Sequence, residues 1–270
     1  MPIVTARELI AAGVHFGHQT SRWNPKMGRY IWGKRNKIHV FDIRETIKGI
    51  IEAVYFLRAA AAGGGRFLFI GTKRQAKDIV RREGKRTGMP FVAERWLGGT
   101  LTNLAAIRSQ VKRIDELERI ESSGEINAYN KKMISAHNRE KRKLNRNLEG
   151  IRGLDRLPTA VVVIDPNKEA IAVAEAYKLR IPIIAVIDTD CDPDPIDIPI
   201  PANDDAMRSL DAVMAVLGKA VIEGRLAGGL PIPKEAMTVP EAAPEEAPKE
   251  APKEEAKESG DAPPSAEASE

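Results

Sequence analysis

AVVVIDPNKEAIAVAEAYKLRIPIIAVID, residues 160–188, decides the architecture. Its two apolar runs, AVVVID at 160–165 and IPIIAVID at 181–188, lack the polar alternation of a half-exposed strand, so each predicts a strand buried on both faces. A helix from about Lys168 to Leu179 joins them. Strand, helix and strand at this spacing predict a parallel sheet, and therefore an α/β protein.

The same alternation continues on both sides. FLFI at 67–70 reads as a third buried strand, followed by Gly71, a helix from about Gln75 to Thr87 and a short strand around Phe91 and Val92. A final helix is expected from about Asp204 to Val221. Towards the N-terminus, Thr5 and Glu8 form a capping-box pattern that opens a short helix ending near Gly13. IHVFDI at 38–43 reads as a strand. Thr46 to Ala62 reads as an amphipathic helix burying Ile47, Ile50, Ile51, Val54 and Leu57, ended by Gly63-Gly64-Gly65.

Residues 102–152 interrupt this order. Leu104, Ile107, Val111, Ile114 and Leu117 keep a narrow apolar seam, which Leu144, Leu148 and Ile151 resume, so an antiparallel helical hairpin turning near Ser122-Ser123-Gly124 is expected. Its second arm carries Lys131, Lys132, Arg139, Lys141, Arg142, Lys143 and Arg146 against Glu140 alone. Few apolar positions face that stretch, so the hairpin should project from the body.

Charge is distributed unevenly. The chain's formal charge is +4, but residues 231–270 hold 11 Asp and Glu against 4 Lys, a net of −7, which leaves +11 on residues 1–230. The expected division is therefore a basic body, 1–230, and a disordered acidic Pro/Ala/Glu/Lys-rich tail, 231–270, either binding a partner or serving as a solubilising extension. Cys191 is the only cysteine, which excludes an intrachain disulfide and fits a reducing compartment. The N-terminus has no secretory pattern and no apolar run spans a bilayer, so a cytoplasmic protein without a membrane partner is expected.

The basic excess peaks in HFGHQTSRWNPKMGRYIWGKRNK, residues 15–37, read as a loop in which Trp23, Tyr30 and Trp32 are interleaved with Arg22, Lys26, Arg29, Lys34, Arg35 and Lys37 and no acidic residue occurs. Cations neutralise phosphates and aromatic faces stack on unpaired bases, so RNA suits this composition better than a small anion; a solvated basic loop over an aromatic cluster is the plainer alternative. Lys141 and Arg142 on the hairpin arm share the same chemistry. Gly71-Thr72-Lys73-Arg74-Gln75 lies where a buried strand meets a helix, with Thr72 and Gln75 as a second capping box, and could meet a phosphate or merely start a helix. Neither GxxxxGK[ST] nor GxGxxG occurs there, so a nucleotide cofactor is not expected. RWLGGTLTN at 95–103 offers a cation, an aromatic and two glycines that admit close approach by RNA or by the chain's own sheet.

Other chemistry has little local support. Asp188, Asp190, Asp192 and Asp194 alternate, but prolines occupy the glycine and terminal glutamate positions a calcium loop needs. His15 and His18 could share a metal, yet no third ligand is clustered with them, so a structural or RNA-contacting role is favoured. No nucleophile and base are paired.

AGVHFGHQTSRWNPKMGRYIWGKRNKIHVFDI, FIGTKRQA, RWLGGTLTN, VVVIDPNKEAIAVAEA and IPIIAVIDTDCDPDPIDIPIPANDDAMRSL, in this order, closely resemble the bacterial small-subunit ribosomal protein two family. The resemblance implies a flavodoxin-like parallel sheet flanked by helices with an inserted coiled-coil hairpin. It also implies a place on the small ribosomal subunit near the head–body junction, where members bind small-subunit rRNA and help seat ribosomal protein one. It implies no catalysis, no cofactor and no small-molecule substrate. Carried over by position, Arg22, Trp23, Asn24, Lys26, Lys34, Arg35, Lys73, Arg74, Arg95 and Trp96 become candidates for contacting rRNA or shaping the surface that does. The competing reading is a nucleotide-dependent enzyme working at Gly71 and Asp165.

Overall fold

The computed structural model describes residues 5–233; the expected acidic tail lies almost wholly outside them. Five strands, β4 (Phe67–Ile70), β5 (Phe91–Val92), β6 (Ala160–Ile164), β7 (Ile183–Ile187) and β8 (Ile198–Pro201), form one sheet in the order β5-β4-β6-β7-β8, every pair parallel. Counted within the sheet this is 2-1-3-4-5, the flavodoxin order, whose switch point lies between β4 and β6.

Side chains alternate along each strand, so the uniformly apolar runs supply two cores. Phe67, Phe69, Val162, Ile164, Ile184 and Val186 face α2 (Ile43–Ala62), α3 (Lys77–Thr87) and α7 (Met207–Ala227). Leu68, Ile70, Val161, Val163, Ile183 and Ala185 face α6 (Ala170–Lys178), Trp96, Leu101 and the residues at the hairpin's root. Burying one such aliphatic side chain is worth about 1.5–3 kcal/mol. The sheet is therefore a rigid platform for the loops at its ends.

Two helices, α4 (Leu104–Ser122) and α5 (Lys131–Leu148), occupy the interrupting segment and pack mainly on each other. Ile107, Ile114, Leu117, His137 and Leu148 are buried, and Glu121 meets Lys141 while Arg108 reaches the Asp155 carbonyl near the base. The root belongs to the body: Ile107, Leu148 and Ile151 share an apolar cluster with Val161 and Val163. Gly150 permits that junction, since a Cβ there would lie 2.1 Å from the Phe91 carbonyl oxygen.

Several expectations are corrected. The basic segment is not a loop: β1 (Phe16–Gln19), a 3₁₀ turn (Pro25–Tyr30), β2 (Ile31–Arg35) and β3 (Ile38–Phe41) make a second, antiparallel sheet in the order β1-β3-β2, which follows α1 (Ala6–Ala11). Met27, Tyr30 and Phe41 anchor it in the second core. Strand β8 is additional. Helix α3 starts two residues later than expected and has no side-chain cap, because its N-cap is Ala76; Thr72, the expected cap, donates to Glu169 instead. Helix α7 begins after Asn203, whose side chain accepts from the Asp205 and Ala206 amides, and runs six residues further.

Candidate nucleic-acid interface

The antiparallel sheet displays charge because its strands are too short and polar to bury both faces. Asn24 caps the 3₁₀ turn by accepting from the Lys26 amide (3.0 Å), and its own N–H donates to the Thr189 carbonyl (2.8 Å), fastening the segment to the end of β7. Gly17 lies against the same turn, where a Cβ would come within 2.6 Å of Thr189. On this frame Arg22, Arg29, Lys34, Arg35 and Lys37 are exposed. None of the five has a carboxylate at ion-pair distance among the described residues. The Arg29 guanidinium lies 4.6 Å from the Tyr30 ring centroid.

Aromatic surface accompanies the charge. Trp23 is 41% exposed, its ring 5.1 Å from that of His39, and Trp32 is 75% exposed. Trp32, Ile10, His15 and Ile43 help line a groove of about 550 Å³ beside Phe41. Composition singles out the aromatic segment, but nothing in it marks Trp32 as its most exposed ring.

The structure gives four of the other candidates internal work. Lys26 is held between Asp192 (3.0 Å) and Asp194, so the alternating aspartates bind an ammonium of the chain itself. Trp96 is buried, 7% exposed, and offers no face for stacking on a base. Its Nε1 donates to Glu175 (3.1 Å), whose carboxylate also accepts from Gly99 N (2.7 Å), Leu101 N (3.0 Å) and Thr102 N and Oγ1 (both 3.1 Å). Burial alone would raise the Glu175 pKa; these donors overcome it and hold it below the ordinary value. The glycine-rich loop therefore wraps a carboxylate of its own chain, and of the two candidates in it Arg95 is exposed while Trp96 is buried. Lys141 bridges to Glu121 on the facing helix, whereas Arg142 is exposed and donates to the Asn138 carbonyl within its own helix (3.1 Å).

Lys73 is the clearest correction. It points into the crevice at the switch point, where its Nζ lies 2.7 Å from Asp204, 2.6 Å from Asp205 and 3.9 Å from Asp165. Burial would lower its pKa, but hydrogen bonds to Asp204 and Asp205 outweigh that and raise it, so the ammonium stays charged and occupied. Beside it, Thr72 donates its amide (2.9 Å) and hydroxyl (2.5 Å) to Glu169. The crevice in which α/β sheets of this order bind ligands is thus filled by side chains of the chain itself. Arg74, next to it, is exposed.

The same end of the sheet gathers a group that neither His spacing nor Asp spacing reveals. His18, Asp188 and Asp204 each offer one ligand atom, all within 4.8 Å of one another. A nitrogen and two carboxylate oxygens suit a divalent ion such as zinc. His18 Nδ1 approaches Asp188 to 3.0 Å without hydrogen-bond geometry, while its backbone N–H donates to Asp188 (3.1 Å) and to Thr189 Oγ1 (3.0 Å). His15, the other half of the pair suggested by spacing, is not a member. His18 lies 170 positions before Asp188 and 186 before Asp204, so no local motif could show the group.

The fold and surface define a parallel α/β protein whose ligand crevice is closed by its own ion pairs and whose free cations sit on an appended antiparallel sheet. A family model described as ribosomal protein S2 matches residues 9–224. The curated small ribosomal subunit protein uS2 of Rhodopirellula baltica is 53% identical over 237 residues, covering 88% of this chain and 91% of that protein. The chain belongs to the ribosomal protein S2 family. Membership makes it a ribosomal protein with a structural place in translation on the cytoplasmic ribosome. Among the described residues no helix is long and apolar enough to cross a membrane.

Proposed function

We infer that this protein is a structural component of the small ribosomal subunit that holds small-subunit rRNA through backbone phosphates, chiefly with the antiparallel sheet. One observation carries the reading: Arg22, Arg29, Lys34, Arg35 and Lys37 are exposed on one small sheet and its turns with no carboxylate partner among the described residues, while Lys73 in the ligand crevice is neutralised from within. Distributed free cations are what phosphate binding requires, and a nucleotide enzyme would need the crevice open. Arg74, Arg95 and Arg142 extend the same chemistry around the body and along the hairpin; Trp23 can stack on a base.

The family resemblance supports a position near the head–body junction and a part in seating ribosomal protein one. The groove beside Trp32 supplies an apolar surface for such a protein neighbour, separate from the phosphate-binding cations. The coiled-coil hairpin, with its basic second arm, reaches rRNA or an acidic protein surface.

Titration of salt against binding to a small-subunit rRNA transcript tests this. If six to ten phosphates are engaged, affinity falls by roughly three to five orders of magnitude between 50 and 200 mM salt, and a nearly flat response refutes it.

A further inference from the structure

The hairpin is not filled along its whole length. Leu117 and Ile120 of α4 and Tyr129, Met133, Ala136 and His137 of the returning arm line a cavity of about 320 Å³. Leu117 and His137 are its buried walls, 2% and 6% exposed, whereas Met133 is 49% exposed and Ala136 adds only a methyl group. His137 is the unusual member. Both its ring nitrogens are buried without a hydrogen-bond partner among the described residues, and Glu121, 3.9 Å from Nε2, is occupied by Lys141. An imidazole carries an N–H in either tautomer, and leaving it unpaired away from water costs free energy that an incoming polar group would recover.

The surroundings narrow the class of that group. Arg113 at the rim is paired with Glu140 (3.0 Å) and Glu116 (3.2 Å), so among the described residues the cavity holds no free cation for a phosphate. A nucleobase would bring several polar edge atoms against aliphatic walls and one imidazole, leaving the rest unpaired. A tyrosine ring matches: its body is apolar, and its single hydroxyl accepts from an N–H or donates to a bare ring nitrogen. Beside the opening, Lys132, Arg139 and Lys143 share the helix face of Ala136 at spacings of three and four, and each is exposed with no carboxylate at ion-pair distance among the described residues. We propose that this cavity is a docking pocket for a tyrosine in an acidic segment of a neighbouring protein, with the hydroxyl on His137 and the flanking carboxylates on Lys132, Arg139 and Lys143. It rests on the reading that the hairpin meets a neighbour, and commits that neighbour to be a protein.

Two measurements on the full chain test this. The first titrates the capped peptide Glu-Asp-Tyr-Glu-Asp against protein with labelled methionine methyls. It should shift the Met133 methyl resonance saturably, and its phenylalanine counterpart should bind about three- to tenfold more weakly, the equivalent of one hydrogen bond. Ala136→Leu, which fills the opening, should abolish the shift without lowering the Tm by more than about 2 °C. His137→Leu should raise the Tm and bring the two peptides within about twofold of each other. No saturable shift, or one that survives Ala136→Leu, overturns the pocket, and equal affinity of the wild type for both peptides overturns the role given to His137. The second measurement replaces Met133 by a photo-crosslinking amino acid in assembled small subunits, where the crosslink should fall on a tyrosine-containing acidic segment of a protein. Crosslinks to rRNA alone overturn the proposal but leave the hairpin's contact standing, and the absence of any crosslink to a neighbour overturns both.

Discussion

The switch point of the parallel sheet and the surface of the antiparallel sheet use their cations in opposite ways. At the parallel sheet's switch point Lys73 is 14% exposed and closed in by Asp204, Asp205 and Asp165, a contact set that stabilises the fold. On the antiparallel sheet Arg22, Lys34, Arg35 and Lys37 stand in solvent, with no acidic partner among the described residues. A buried charge must be paired to be tolerated, whereas an exposed one is free to meet a phosphate. The comparison teaches that the location of the pairing carboxylates, rather than the position of a lysine in the fold, decides which site can bind. Here the crevice at the switch point is occupied by the chain's own side chains, while the cations of the appended sheet stay exposed.

The largest effect should come from the free set. Replacing Arg22, Lys34, Arg35 and Lys37 together by Ala should lower rRNA affinity about a thousandfold at 0.1 M salt and exclude the variant when it competes with wild type for small subunits lacking this protein. The Tm should change by no more than about 2 °C, since none of the four is buried.

Lys73→Ala should do the reverse. It strands Asp204 in a buried position, so a loss of about 3–5 kcal/mol is expected in denaturant unfolding, with the affinity of the folded protein for rRNA unchanged within about twofold. Micromolar ATP or NAD binding that Lys73→Ala abolishes would break the comparison outright.

Glu175 gives a smaller effect with a pH signature. Its folded pKa lies below the ordinary 4.5, so its contribution is present above pH 4.5 and is lost as pH falls through the folded value. Glu175→Gln keeps the size but loses the charge-assisted acceptors. It should cost about 1–3 kcal/mol near neutral pH and flatten the stability profile below pH 4.5, as measured by unfolding across that range. Lys26→Ala should do least. Its partners Asp192 and Asp194 are exposed, so about 0–1 kcal/mol is expected, and although Lys26 is close in sequence to Arg22 its loss should leave the rRNA salt slope nearly unaltered.

How far these features could be read from the chain depended on how local their causes are. FLFI, AVVVI and IPIIAVI announce buried strands because every residue is apolar. The hairpin seam shows because Leu104, Ile107, Val111 and Ile114 recur three and four residues apart among charged neighbours. Strand β8 reads IPIP, and Pro199 and Pro201 argue against a strand; it is tolerated because β8 lies at the sheet edge, where missing N–H groups cost least. Strands β1 and β2 are short and polar and pair across register irregularities, so period-two alternation never develops. Arg22 to Lys37 stood out by its cations and aromatic rings even without its sheet. The diversion of Lys73 was hidden, because Asp204 is 131 positions away and only the fold brings it near. Trp96 and Glu175, 79 positions apart, were hidden for the same reason.

The most direct measurement is the slope of log affinity against log salt for rRNA binding, determined side by side for wild type, Arg35→Ala and Lys73→Ala at a temperature where all three are folded. The account predicts that Arg35→Ala lowers the slope by about one and that Lys73→Ala leaves it unchanged. A slope reduced by Lys73→Ala and untouched by Arg35→Ala would place phosphate binding in the crevice and contradict the division of labour between the two sheets.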